Sequence, residues 1–209
     1  NKKCRVILAG QSLGPFYGIH RAAAKFLFKN IAVITRDDNS FEFSKNILKI
    51  DKVFKGRDFA LLSLPKQDDF NSVISRLNLT DQRYCVFVPS GLHEQYTEDT
   101  DGYVETWIEV IGKIAAQSEF EKVVILSHVL KPDRVSDSRI SEIIYEKMDS
   151  ELKSKTLLID DVIQPAEARA VLGGSEFVIT GRMHAAVSTF FMRKPAIAIV
   201  YSEKYSGVI

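Results

Sequence analysis

Val178-Ile179-Thr180-Gly181-Arg182-Met183-His184-Ala185-Ala186 is an apolar run that stops at a glycine and restarts as a segment of small residues. The first part has the β-branched content of a buried strand and the second the composition of a helix. A strand that turns directly into a helix is the unit from which parallel α/β sheets are built. Ligands of such sheets bind beyond the carboxyl ends of the strands, so the polar residues of this junction stand where chemistry is expected. Gly181 permits a tight turn and a close backbone approach. Arg182 carries a planar fork of donors suited to a carboxylate or phosphate. His184 falls in the first turn of the helix, where free N–H groups and the macrodipole favour an anion. There the imidazole is biased toward neutral, and a bound anion biases it back toward the cation. The alternative is that Arg182 pairs with a surface carboxylate and His184 caps the helix.

Outward from this junction the same pattern repeats. The sequence predicts strands at Arg5–Ala9, Ile31–Thr35, Phe59–Ser63, Tyr84–Val88, Val123–Ser127, Thr156–Ile159, Phe177–Thr180 and Ala196–Val200. Helical periodicity is expected near Tyr17–Lys29, Ser40–Leu48, Gly102–Ser118, Asp137–Met148, Pro165–Leu172 and His184–Arg193. The fold class is therefore α/β, with Rossmann-like parallel sheets and flanking helices. Polar residues between Pro65 and Arg83 interrupt the alternation, which places a boundary there and gives domains 1–80 and 81–209. About three strands precede it, fewer than the usual 5–6 of a sheet, so the N-terminal half is expected to be incomplete.

Other strand ends carry further candidates. Gln11-Ser12-Leu13-Gly14-Pro15-Phe16 follows the first strand, and its N–H groups with Gln11 and Ser12 can hold an anion. Its glycines fit neither the dinucleotide fingerprint nor the P-loop, and an ordinary turn is the rival reading. Arg36 opens Arg36-Asp37-Asp38-Asn39-Ser40, either facing a ligand or paired with Asp37 or Asp38, with Ser40 as the expected N-cap. Ser90-Gly91 makes a turn suited to a phosphate, and Lys204 can reach an anion or stand solvated. His128, with Asp133 and Asp137 beyond it, lacks the spacing of a compact metal site, so no metal is expected.

Composition narrows the partners. The 209 residues are 45% hydrophobic and 26% charged with a formal charge of +1, which gives no field for nucleic acid or an anionic membrane surface. No stretch approaches the roughly 20 apolar residues of a membrane span. An integral membrane protein is not expected. Cys4 and Cys85 fall in apolar runs read as buried strands, without a C-x-x-C pattern, which points to a reducing, cytoplasmic setting.

Four stretches, in order, resemble the polysaccharide pyruvyl transferase family. They are the Q-S-x-G-P-F turn at Gln11–Phe16, an R-[DE]-x-x-S segment at Arg36–Ser40, R-[LM]-H-A at Arg182–Ala185, and Y-x-x-K at Tyr201–Lys204. The resemblance implies a two-domain architecture of glycosyltransferase-B type with the active site between domains, 1–80 belonging to the acceptor-side domain. It implies transfer of the enolpyruvyl unit of phosphoenolpyruvate to a sugar hydroxyl of a glycan, polysaccharide or lipid-linked sugar, closing to a ketal, with phosphoenolpyruvate as donor substrate and no cofactor. His184 would then be the proton donor to the methylene carbon, and Arg182 and Arg36 would hold the donor's carboxylate and phosphate, with Gln11, Ser12, Gly14, Ser90 and Lys204 lining the substrate site. Two alternatives are a glycosyltransferase of the same architecture using a nucleotide-sugar, favoured by the turns at Ser90-Gly91 and Gly173-Gly174, and a non-catalytic interaction module.

Overall fold

The computed structural model describes residues 4–65, 70–130, 135–202, 205 and 207–209. Lys204 and Asp133 lie outside them. The chain forms two compact units, Asn1–Leu62 with Ser202–Ile209, and Ser63–Tyr201. The division thus falls earlier than the expected 80/81, for a physical reason: Val73, Ile74, Leu77 and Leu79 are apolar and join the core of the second unit.

The first unit is a parallel sheet in the order β1 (Ile7–Gln11), β2 (Ala32–Thr35), β3 (Val53–Lys55). Helix α1 (Gly18–Phe28) joins β1 to β2, and α2 (Asp38–Glu42), which runs on into a π turn over Phe43–Ile47, joins β2 to β3. Leu13, Ala24, Val33, Leu48 and Ile50 make a small core, while Ile7, Ile19, Phe26 and Phe54 stay exposed. The expected strand at Phe59–Ser63 is instead a 3-10 turn at Phe59–Leu61, because Asp58 accepts the N–H of Ala60 and caps it. The third strand lies earlier, at Val53–Lys55. Cys4 precedes β1 and is exposed, whereas Cys85 is buried, and burial pushes its thiol up to about 12. Cys85 is therefore a packing residue.

The second unit begins with α3 (Phe70–Arg76) and β4 (Tyr84–Val88), then α4 (Thr100–Ala115), β5 (Lys122–Leu126), α5 (Asp137–Lys147), α6 (Ser150–Lys155) and β6 (Thr156–Ile159). It continues through α7 (Pro165–Gly174), β7 (Val178–Thr180), α8 (Met183–Phe191) and β8 (Ala196–Ala198). All five strands are parallel in the order β6-β5-β4-β7-β8. The period of two along β4 and β5 sorts their side chains cleanly. Val86, Val88, Val124 and Leu126 meet α3, α7 and α8, and Cys85, Phe87, Val123 and Ile125 meet α4 and α5. Each such aliphatic or aromatic side chain contributes roughly 1.5–3 kcal/mol on full burial.

Renumbered from its own first strand, this sheet reads 3-2-1-4-5, the doubly wound order whose reversal lies between strands 1 and 4. Here those are β4 and β7. The loops after these two strands diverge from the reversal point, where ligands of such sheets bind.

Candidate functional site

At the reversal point the chain leaves β4 through Pro89-Ser90-Gly91 and leaves β7 through Gly181-Arg182. Gly181 N donates to Val88 O at 2.9 Å, and a Cβ on Gly181 would stand 2.9 Å from the Cβ of Ser90, so only glycine lets the two turns meet this closely. Ser90 is fully buried; its Oγ accepts from Leu92 N at 3.2 Å and its N–H donates to the Tyr103 hydroxyl at 2.9 Å. His93 stacks on the Tyr103 ring with centroids 4.8 Å apart.

Arg182 is the N-cap residue of α8 and His184 lies in its first turn. The arginine does pair with a carboxylate, but a buried one. Its Nε donates to Asp137 Oδ1 and Oδ2 at 2.9 and 3.1 Å, and its Nη2 to Asp137 Oδ1 at 2.6 Å and to Val135 O at 2.8 Å. The Arg182 side chain is 12% exposed and that of Asp137 0%. Asp137 also accepts Gly91 N at 2.8 Å and Val129 N at 2.9 Å. One carboxylate therefore ties together the segments that follow β4, β5 and β7. His128, just beyond β5, is held neutral: burial pushes its pKa down to about 4, the nearby Asp137 charge pulls it up, and His184 and Arg182 push it down again. The structure thus brings Asp137, Arg182 and His184 within electrostatic reach of His128.

Sequence spacing presents Asp137 only as a poorly spaced metal ligand beside His128 and Asp133, which leaves its pairing with Arg182 unseen. A different signal was available. A carboxylate at the first position of a helix that follows a strand lies at the same sheet edge as Arg182, and such an edge favours pairing.

In the first unit the two N-terminal stretches interlock. Arg36 Nε donates to Ser12 Oγ at 2.9 Å, Ser12 Oγ donates to Asp37 Oδ2 at 2.6 Å, and Asp37 Oδ1 accepts Ser40 N at 2.7 Å. Ser40 Oγ in turn donates to Asp37 Oδ2 at 2.9 Å and accepts Leu13 N at 2.8 Å. Asp37, and not Ser40, is thus the N-cap of α2. The second partner of Arg36 is Asp58, 2.7 Å from Nη1, and neither of its sequence neighbours. Gln11 is exposed at the end of β1, where its carbonyl accepts Arg36 N at 3.2 Å. Gly14 has φ +90°, and a Cβ there would overlap the Phe43 ring. Ser12, Gly14, Pro15, Asp37, Ser40 and Phe43 line a cavity of ≈ 470 Å³. Arg36, Asp37, Lys55, Arg57 and Asp58 border a second hollow of ≈ 510 Å³ in the same unit.

The model of the family described as polysaccharide pyruvyl transferase matches residues 1–203. No curated protein matches the chain. Among solved structures, UDP-GlcNAc 2-epimerase from Methanocaldococcus jannaschii is 15% identical, with a TM-score of 0.62 over 97% of this chain and 56% of that one. A glycosyltransferase from Rickettsia africae ESF-5 is 13% identical, with a TM-score of 0.51 over 89% of this chain and 49% of that one. ADP-heptose lps heptosyltransferase II of E. coli is 12% identical, with a TM-score of 0.50 over 66% of this chain and 38% of that one. The chain spans from 38% to 56% of the length of these structures. At such identities the likeness concerns the fold, and it agrees with the expected Rossmann-like, glycosyltransferase-B type of architecture.

Proposed function

The chain belongs to the polysaccharide pyruvyl transferase family, and from that premise we propose that it transfers the enolpyruvyl unit of phosphoenolpyruvate to sugar hydroxyls of a glycan precursor, closing to a ketal. The observation that carries this reading is the position of Arg182 and His184 at the reversal point of the five-stranded sheet, the place where such sheets bind ligands. His184 donates a proton to the methylene carbon of the donor, which becomes a methyl group and leaves an oxocarbenium-like centre at C2. A sugar hydroxyl attacks C2 and gives up its proton. A second hydroxyl closes the ketal as the C2–O bond to phosphate breaks and inorganic phosphate leaves.

The anionic groups of the donor meet cations and oriented N–H groups. Nη1 of Arg182 and the first-turn amides of α8 are suited to this work. Arg36 and Ser12, with Gln11, Gly14, Ser90 and Lys204, remain the proposed lining of the substrate site. Among the described residues no helix is long and apolar enough to cross a membrane. The thiols of Cys4 and Cys85 are both free, which fits the proposed cytoplasmic setting.

Replacing His184 with Ala is expected to lower kcat for pyruvyl transfer by about 10²–10⁴-fold with an unchanged melting temperature. Retained turnover sinks the assigned acid. Calorimetry with phosphoenolpyruvate tests the donor without knowledge of the acceptor. Stabilisation by a nucleotide-sugar and none by phosphoenolpyruvate transfers the reading to glycosyl transfer.

A further inference from the structure

Asp137 takes no part in the chemistry just described, yet its carboxylate is completely enclosed. Removing a carboxylate from water is unfavourable unless it is paired and hydrogen-bonded. Joining the Gly91 and Val129 amides needs only a neutral acceptor, so the charge at this position has another reason. That reason is Arg182.

A guanidinium has five N–H donors on three nitrogens in a fixed plane. The Nε edge and Nη2 of Arg182 are committed to Asp137 and to Val135 O. Because the group is planar, fixing these two nitrogens also fixes the direction of Nη1. Swinging the Nε/Nη2 fork of Arg182 toward a ligand would leave Asp137 as a buried, uncompensated charge.

We propose that Asp137 is the positioning residue of the transfer site: it turns Arg182 so that the Nη1 edge, and not the Nε/Nη2 fork, is offered to the carboxylate or phosphate of the donor. The assignment rests on the pyruvyl-transfer reading. It differs from a purely architectural role for Asp137, in which the carboxylate holds loops together and Arg182 acts independently.

A double-mutant cycle on the full chain separates the two roles. Asp137→Asn and Arg182→Gln are each expected to raise KM for phosphoenolpyruvate about tenfold with a smaller change in kcat. The double variant is expected to be within about twofold of Arg182→Gln alone. Losses that multiply overturn the proposal. Arg182→Lys guards against misfolding of Asp137→Asn, since the ammonium keeps the charge pair but has no second edge. It is expected to melt near the wild-type temperature and still bind phosphoenolpyruvate about tenfold more weakly. Wild-type affinity in that variant overturns the proposal.

Binding of phosphoenolpyruvate to the wild type is the control for the underlying reading. If the wild type does not bind it, pyruvyl transfer fails as a function and the same cycle is read with inorganic phosphate as the probe: losses of phosphate binding that do not add sustain the role, and losses that multiply, or no phosphate binding, overturn it.

Discussion

Each unit places an arginine–aspartate pair at the carboxyl ends of its parallel strands, and the two pairs are built differently. Arg36 and Asp58 are 13% and 6% exposed, Arg182 and Asp137 12% and 0%, so burial alone hardly separates them. The difference lies in how the bonds are shared. In the first unit they are spread over Asp58, Ser12, Asp37 and Ser40, and each member keeps a second partner when one is lost. In the second unit they converge on Asp137, which serves Gly91, Val129 and Arg182 at once. A distributed network degrades gradually, and a concentrated one fails together.

The largest test of this contrast is Asp137→Ala, which leaves a nearly buried guanidinium without its counter-charge and two amides without an acceptor. It is expected to cost about 3–5 kcal/mol in urea unfolding. A cost below about 1 kcal/mol, the range of an exposed pair, breaks the comparison. Asp58→Ala should cost less, about 1.5–3 kcal/mol, because Arg36 retains Ser12. Equal costs for the two would show that the first network is no more tolerant than the second.

The smallest effect concerns acid. Burial alone would raise the Asp37 carboxyl, but hydrogen bonds from Ser12, the Ser40 amide and the Ser40 hydroxyl, with the charge of Arg36, outweigh it and hold the group below its ordinary 3.8. A carboxylate depressed in the folded state contributes stability that is present above the unfolded pKa and is lost as pH falls through the folded one. The contribution of Asp37 is therefore complete at neutral pH and disappears only below pH of about 4. Ser12→Ala is expected to move the Asp37 carboxyl titration upward, read by carbon NMR. No movement would show that the chain from Arg36 through Ser12 does not act on Asp37.

Much of the second unit was legible because its central strands, β4 and β5, are buried on both faces and the edge strands are still apolar. Tyr84–Val88 and Thr156–Ile159 have the bounds expected from their apolar runs. Val53–Lys55 was missed because three residues at a sheet edge, with Phe54 exposed, carry almost no burial signal. The apolar Phe59–Leu62 run drew the strand there instead. Helix Ser150–Lys155 was missed because its sequence is nearly all polar, and it follows from the Asp149 cap, which accepts Leu152 N. At the site, the strand-end position of Arg182 was legible from local pattern. Its partner was not, because Asp137 lies 45 residues away and reaches it only through the strand order.

That strand order also bears on how the molecule is made. β4, β5 and β6 are consecutive in the chain and adjacent in the sheet, so this part can assemble while synthesis continues at roughly 5–20 residues per second. β7, by contrast, must close back on β4, joining Val178 to Val86 across a long loop. Asp137 therefore lies in the part that can assemble first, and its counter-ion Arg182 joins it only when β7 closes on β4. The closure of β7 is thus the step that pairs the two charges, and only then are the segments after β4, β5 and β7 tied to one carboxylate.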